Sequence, residues 1–214
     1  KNFFQNSSKL QINEKLFLGT LNRLKKYIIS LQPSKLTSNS VWSEYQSTRE
    51  HYSNQDLEIK RTFIQKGLML GKSPVLDLGC NQGEYSFLAE KMGLKVVATD
   101  NDELSIIKLQ SKLNSEKITV CFLDICHPTP SIGWDNKEHS SFLERSRNQF
   151  GLVLCLGLLH HLIVTERIPL NYILDTLLNI TKEYLIIEFV DPEDEKFKEI
   201  SRFNKDLNLE FTKN

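Results

Sequence analysis

Three carboxylates recur at a regular interval. Asp77 within Val75-Leu76-Asp77-Leu78, Asp100 after Val96-Val97-Ala98-Thr99, and Asp124 after Cys121-Phe122-Leu123 stand 23 and 24 residues apart, one strand-plus-helix unit each. In an open α/β sheet that interval brings all three to one rim, just past the carboxyl ends of the strands, where ligands bind. There, a carboxylate after the second strand can take both hydroxyls of a ribose, and one after the third can accept from an adenine amino group. Asp77 leads into Gly79-Cys80-Asn81-Gln82-Gly83-Glu84, a G-x-x-x-G turn. This differs from the G-x-G-x-x-G dinucleotide fingerprint and lacks the Lys and Ser/Thr of a phosphate loop. An acid beside such a turn repels phosphate and attracts a cation, such as an ammonium or a sulfonium.

A second group of reactive residues follows the fourth apolar run, in Leu156-Gly157-Leu158-Leu159-His160-His161-Leu162. Neutral imidazole suits proton removal at pH 7, with His160 the first choice and His161 the second. The other reading has one ring packing against a ligand and its neighbour capping a helix. No H-x-x-x-H or similar ligand spacing accompanies the pair, so no metal is expected. Glu188, in the fifth run, is a strand carboxylate that needs a partner if buried, and His160 or His161 is the expected one.

The elements that must position these groups show in the texture of the chain. From Pro74 onward, short apolar runs (75–78, 95–99, 118–123, 152–156 and 184–190) alternate with helical patterns at 84–92, 102–113, 141–147 and 169–181. Apolar runs separated by helices predict β-α-β units and a parallel sheet. Ahead of them, apolar residues at helical spacing predict a helix over 10–31, closed by Pro33. A second helix starts near Ser53 or Asn54 and ends at Gly71 and Pro74. The expected division is an amino-terminal helical appendage over 1–70 and an α/β domain over 71–214.

From about Pro74 to Asp191, the acids and the turn resemble the class I S-adenosylmethionine-dependent methyltransferases. The resemblance implies a Rossmann-like fold and S-adenosylmethionine as cofactor. It would give Asp77, Gly79, Cys80, Asn81 and Gly83 the methionine end of the cofactor, and Asp100 the ribose. Asp124 with Ile125 would take the adenine, with a further contact from Asn101. Leu156 and Gly157 would line the methionyl side and face the acceptor. Family members that methylate amide or adenine nitrogen carry an Asn/Asp-Pro-Pro-aromatic motif where this chain has Leu-Gly-Leu-Leu. Cys155, inside its apolar run, reads as core and not as the nucleophile of carbon methylation. The implied activity is methyl transfer to an oxygen or nitrogen, with a small molecule as the expected acceptor. The alternatives are RNA or protein methylation, and cofactor or nucleotide binding without catalysis.

Two further segments bear on the acceptor side. The long 127–149 connection contains Trp134, which either stacks on adenine or acceptor or serves as a surface anchor. The segment 42–52 is rich in aromatics and charge, and Tyr45, Arg49 or Tyr52 either meets the methionine carboxylate or the acceptor, or packs as ordinary helix.

Composition bounds the rest. The chain has 214 residues, with 27 Lys and Arg against 27 Asp and Glu, so net charge gives no pull toward nucleic acid or anionic membrane. With 40% hydrophobic and 25% charged residues it has globular composition. Four isolated cysteines point to reduced thiols and a cytoplasmic location, and neither a membrane span nor a signal peptide is expected. Only 192–214 follow the fifth strand. The expectation is therefore about five strands, the family's usual carboxyl-terminal hairpin missing or short, at most a short strand near Leu207–Phe211, and a chain that is either truncated at its end or completed differently.

Overall fold

The structure, a computed structural model, describes residues 14–31, 54–191, 193–194, 197–198 and 201–202. Contacts gather the chain into two compact units, Lys1–Ser38 and Asn39–Asn214. The first contains helix α1, Glu14–Ser30, within the span that its apolar spacing predicts. The expected short strand at 207–211 lies outside the described residues.

The larger unit begins with α2 (Asn54–Leu70) and then alternates: β1 (Val75–Leu78), α3 (Glu84–Lys91), β2 (Val96–Asp100), α4 (Glu103–Ser111), β3 (Ile118–Phe122), α5 (Phe142–Ser146), β4 (Phe150–Cys155), α6 (Leu159–Val164), α7 (Leu170–Ile180) and β5 (Thr181–Ile187). The five strands form one parallel sheet in the order β3-β2-β1-β4-β5. The order runs outward from β1 in one direction and resumes at β4 in the other. The resulting crevice lies between the carboxyl ends of β1 and β4, the place where such sheets bind ligands.

Apolar residues cover both faces of the sheet, as a parallel sheet requires. Val75, Leu152 and Leu154 pack with Ile64 and Leu68 of α2, Tyr85 and Leu88 of α3 and Leu109 of α4. Leu76, Val153 and Cys155, pointing the other way, pack with Leu159, Leu162 and Ile163 of α6 and with Ile173, Leu177 and Ile180 of α7. Helix α2 approaches the sheet closely at Gly67, where a Cβ would stand 2.2 Å from Ile186 Cδ1. Assigned from sequence to the appendage, α2 thus contributes core side chains, with Ile64 and Leu68 each 1% exposed.

The expected strand over 184–190 instead forms over Thr181–Ile187. Register explains the shift, because β4 ends at Cys155 and its partner there is Ile187, so pairing stops before Glu188. Lys182, Glu183 and Tyr184 are exposed, which dilutes the apolar signal at the strand's start. Helix α6 has no sequence expectation behind it: Leu-His-His-Leu-Ile-Val is too short and too uniformly apolar to show a helical period. Among the described residues, no helix is long and apolar enough to cross a membrane.

Candidate functional site at the carboxyl rim

Asp77 occupies the third position of β1, paired laterally with Ala98 and Leu154, and is 2% exposed. A carboxylate so placed must find a donor. Ser86, one turn into α3, supplies it, its hydroxyl donating to Asp77 Oδ2 at 2.6 Å. Burial, with the neighbouring Asp100 adding to it, pushes the Asp77 carboxyl up to about 6, while the Ser86 hydrogen bond opposes the rise. Ser86 is a site residue that the sequence reading missed.

The turn after β1 is bound to the end of β2. Asn81 N–H donates to Asp100 Oδ2 at 2.7 Å, and Asp102 N–H donates to Asp100 Oδ1 at 2.8 Å. Cys80 N–H donates to the Thr99 carbonyl at 2.9 Å. Three residues of the turn have positive φ: Gly79 at 68°, Asn81 at 49° and Gly83 at 80°. Asn81 tolerates this region because its side chain bonds its own backbone, here Oδ1 accepting from Gln82 N–H at 2.7 Å. At Gly83 a Cβ would meet the buried Leu109 Cδ1 at 2.4 Å, so glycine is required by conformation and by space. Burial raises the Asp100 carboxyl as well, against the pull of the two backbone donors. Cys80 is buried, and burial together with Asp77 drives its thiol far above the ordinary range.

Asp124 lies two residues past β3 and is more open. It accepts from Cys126 N–H at 2.9 Å and is 2.8 Å from His127 Nδ1. Burial opposes ionisation of Asp124, but the His127 and Cys126 hydrogen bonds outweigh it and hold the carboxyl below the usual range. Ile125 is half-buried beside the second cluster, whereas Asn101 is exposed. The structure thus brings Asp77, Gly79, Cys80, Asn81, Gly83 and Asp100 into one hydrogen-bonded unit, with Asp124 on the adjacent strand exit.

Across the crevice the chain leaves β4 through Leu156 and Gly157, the latter at φ 64°. His160 and His161 lie in α6 with ring centroids 4.1 Å apart. The Nδ1 atom of His160 is buried with no hydrogen-bond partner among the described residues. Burial drives both rings down to about 4, with a contribution at His161 from His160, so both are neutral at pH 7.

Glu188 does not pair with either histidine. Its carboxylate instead binds Lys60 of α2, with Nζ 2.7 Å from Oε1 and 2.8 Å from Oε2. The strand register accounts for this, because Glu188 stands just past β5, its N–H held by the Cys155 carbonyl at 2.9 Å. Lys60, Phe63, Ile64, Leu156, Ile186, Ile187 and Glu188 enclose a cleft of about 150 Å³. Sequence reading missed Lys60, since its partner lies 128 residues away. Burial pushes the Cys155 thiol up to about 12, as a core cysteine requires. Trp134 is 85% exposed. Tyr45, Arg49 and Tyr52 lie outside the described residues.

The donor set fits one kind of ligand. Three acids and a turn without lysine disfavour a pyrophosphate. They suit a nucleoside whose hydroxyls and amino group donate and whose tail is cationic, which is the chemistry of S-adenosylmethionine. Among the described residues, no group of three or more His, Cys, Asp or Glu side chains is placed to hold a metal ion.

Residues 45–129 match the family described as tellurite resistance protein TehB. The chain is 28% identical over 195 residues to nodulation protein NoeA of Rhizobium meliloti (strain 1021), covering 89% of this chain and 40% of that protein. It therefore spans about two-fifths of the length of that relative. Among solved structures, WbdD superposes with a TM-score of 0.48 at 17% identity, covering 79% of this chain and 37% of that one. A SAM-dependent methyltransferase from Archaeoglobus fulgidus gives 0.44 at 18%, covering 70% and 59%. Both likenesses are partial, and the fold assignment rests on the strand order and the rim described above.

Proposed function

We propose that this chain is a class I S-adenosylmethionine-dependent methyltransferase and transfers a methyl group to an oxygen or nitrogen atom of a small-molecule acceptor. The observation that carries the reading is the Asp100 carboxylate binding the turn after β1, with Asp77 buried beside it. S-adenosylmethionine, when bound, supplies a sulfonium methyl group that an acceptor lone pair can take.

The chain's own residues then divide the work. Asp77 and the backbone of Gly79, Cys80, Asn81 and Gly83 hold the methionine end. Asp100 accepts from the ribose hydroxyls. Asp124 accepts from the adenine amino group, with Ile125 against the ring and Asn101 at its edge. Leu156 and Gly157 wall the crevice toward the acceptor. Most of the acceleration comes from alignment and from exclusion of water, which fixed positions in a narrow crevice provide. His160 is the catalytic candidate, because its Nδ1 is a buried ring nitrogen with no partner among the described residues. The burial that keeps it neutral also makes it a weak base, so it orients an acceptor N–H or O–H more than it removes the proton. His161 stands behind it.

Trp134 stays in the reading as an outer contact for the acceptor, and Tyr45, Arg49 and Tyr52 as cover for the crevice. The methyltransferase domain begins before α2, since α2 carries core residues. A cytoplasmic location with all four thiols free belongs to the same proposal.

The test is release of S-adenosylhomocysteine with labelled cofactor across hydroxyl- and amine-bearing small molecules, RNA and protein. Turnover with a small molecule, lost in Asp100→Ala, is expected. Turnover with RNA or protein alone would overturn the acceptor class.

A further inference from the structure

Helix α1 breaks the burial rule that the helices of the α/β unit obey. In α2, Ile64 and Leu68 are sealed in the core, whereas no residue of α1 is buried. Leu16, Phe17, Leu21, Leu24, Tyr27 and Ile28 are between 45% and 73% exposed. Apolar residues scattered singly over a surface need no explanation, but a contiguous face does. At about 100° per residue, Phe17, Leu21, Leu24 and Ile28 form one stripe along α1. Leu16 and Tyr27 widen it on one side, and Leu18 and Ile29 extend it on the other, beyond Glu14 and Lys25. The apolar face so formed takes up more than half of the helix circumference. Thr20 lies within it, and its hydroxyl donates to the Leu16 carbonyl at 2.9 Å, so it brings no unsatisfied donor to the face. The opposite face carries Lys15, Arg23 and Lys26 and no acid. In a chain whose charges balance overall, α1 alone holds four cations against one acid.

We propose that α1 lies in the plane of an anionic lipid surface, its apolar face among the upper acyl chains and Lys15, Arg23 and Lys26 toward the headgroup phosphates. A broad apolar face opposite a basic one is the pattern of a helix that rests in a membrane interface. Lys25, placed between Leu21 and Leu18 on the helix surface, fits the same position, because its apolar stem lies along the face while its ammonium reaches up to the headgroups. The helix lies on the bilayer and does not cross it: 17 residues with five charges are too short and too polar for a span. A second copy of the chain is a poorer occupant. Phe17, Leu21, Leu24 and Ile28 do follow the spacing of a coiled-coil seam, but over fewer than the roughly three or four heptads that such a seam needs. The face is also wider than a seam, and pairing would set cations of one copy near those of the other. Charge complementarity therefore favours the lipid. The proposal is independent of the cofactor reading, since no residue of α1 belongs to the rim.

The test is co-sedimentation of the full chain with phosphatidylcholine vesicles, with and without phosphatidylglycerol, at low and high ionic strength. The parent protein should bind the mixed vesicles on the order of tenfold or more tighter than phosphatidylcholine alone, and lose that preference as salt rises. Leu21→Gln/Leu24→Gln removes apolar surface without adding charge, and should weaken binding to both kinds of vesicle by about fiftyfold or more. Arg23→Gln/Lys26→Gln should weaken binding to the mixed vesicles by on the order of tenfold and to phosphatidylcholine by less than about twofold. Both variants should melt with the parent, because none of the four side chains is buried. Binding that survives Leu21→Gln/Leu24→Gln would place any lipid contact elsewhere and overturn the proposal. So would a parent protein that sediments with neither kind of vesicle. In that case analytical ultracentrifugation names the occupant: a dimer that Leu21→Gln/Leu24→Gln disperses makes the face a seam between copies, and a monomer leaves it to another protein.

Discussion

The two sides of the crevice are built differently. On the β1–β2 side, Asp100 accepts two backbone N–H groups and Asp77 accepts the Ser86 hydroxyl, so each carboxylate has partners from nearby in the chain. On the β4–β5 side, His160 Nδ1 has no partner among the described residues, and Glu188 is held by a lysine 128 residues away. Local hydrogen bonds make the first side rigid before any ligand arrives, which suits a ligand that is always the same. A buried ring nitrogen without a partner among the described residues and a small apolar cleft on the other side suit a molecule that completes them. The contrast teaches where to look for cofactor and where for acceptor.

The largest effect is expected at Gly83. Gly83→Val combines a positive φ with an overlap against Leu109, which costs about 2–6 kcal/mol when strain and overpacking are added. Chemical denaturation checks the stability loss, and calorimetry should show S-adenosylhomocysteine binding abolished. A stable Gly83→Val that binds normally would mean that the turn is not preorganised.

A smaller effect of opposite sign is expected at Asp77. Its folded-state carboxyl sits near 6, above its unfolded value of 3.8, so the fold favours the protonated form. Below pH 3.8 the group costs no stability; the penalty grows as pH rises from there to about 6 and is constant above. Asp77→Asn should therefore raise stability at pH 8 by up to about 3 kcal/mol, with the gain fading toward pH 4. The same variant should bind S-adenosylhomocysteine more weakly, since the ligand's ammonium loses its counter-charge. Denaturation curves at several pH values, beside calorimetry, would separate the two effects. Gains in both would deny Asp77 a binding role.

The smallest effect sharpens the other side. His160 titrates near 4 in the fold against 6.5 when unfolded. The unfolded chain thus binds the extra proton first, and the stability linked to the neutral ring is fully present above pH 6.5 and is lost as pH falls toward 4. His160→Leu removes that acid sensitivity and a buried polar atom without a partner, so stability at pH 7 should change by less than about 1 kcal/mol. S-adenosylhomocysteine affinity should hold while methyl transfer slows. Loss of cofactor affinity in this variant would erase the distinction between the two sides.

The same division decides what the sequence makes legible. Asp77, Asp100 and Asp124 could be placed on one rim from spacing alone, because each stands at or near the end of an apolar run and each interval, of 23 and 24 residues, holds one strand-plus-helix unit. The positive-φ glycines were equally visible, as turn chemistry is local. Helix α6 was not, since six apolar and histidine residues carry no period. Nor was the start of β5, an edge strand whose exposed Lys182, Glu183 and Tyr184 break the apolar run. Lys60 shows why the β4–β5 side stays hidden: a lysine in an amphipathic helix reads as solvated until the fold sets it against Glu188. Glu188, as a strand carboxylate, needs a partner, and the sequence points to a histidine nearer in the chain, whereas the fold supplies a lysine from a helix 128 residues away.

The central claim is that the rim is a nucleoside site for a ligand with a cationic tail and no phosphate. The most direct measurement is calorimetry of the full chain with S-adenosylmethionine, S-adenosylhomocysteine and NAD at pH 7.5. The account predicts one-to-one binding of both adenosyl ligands, loss of that binding in Asp100→Ala, and no heat from NAD. Tight binding of NAD with no response to S-adenosylmethionine would contradict it.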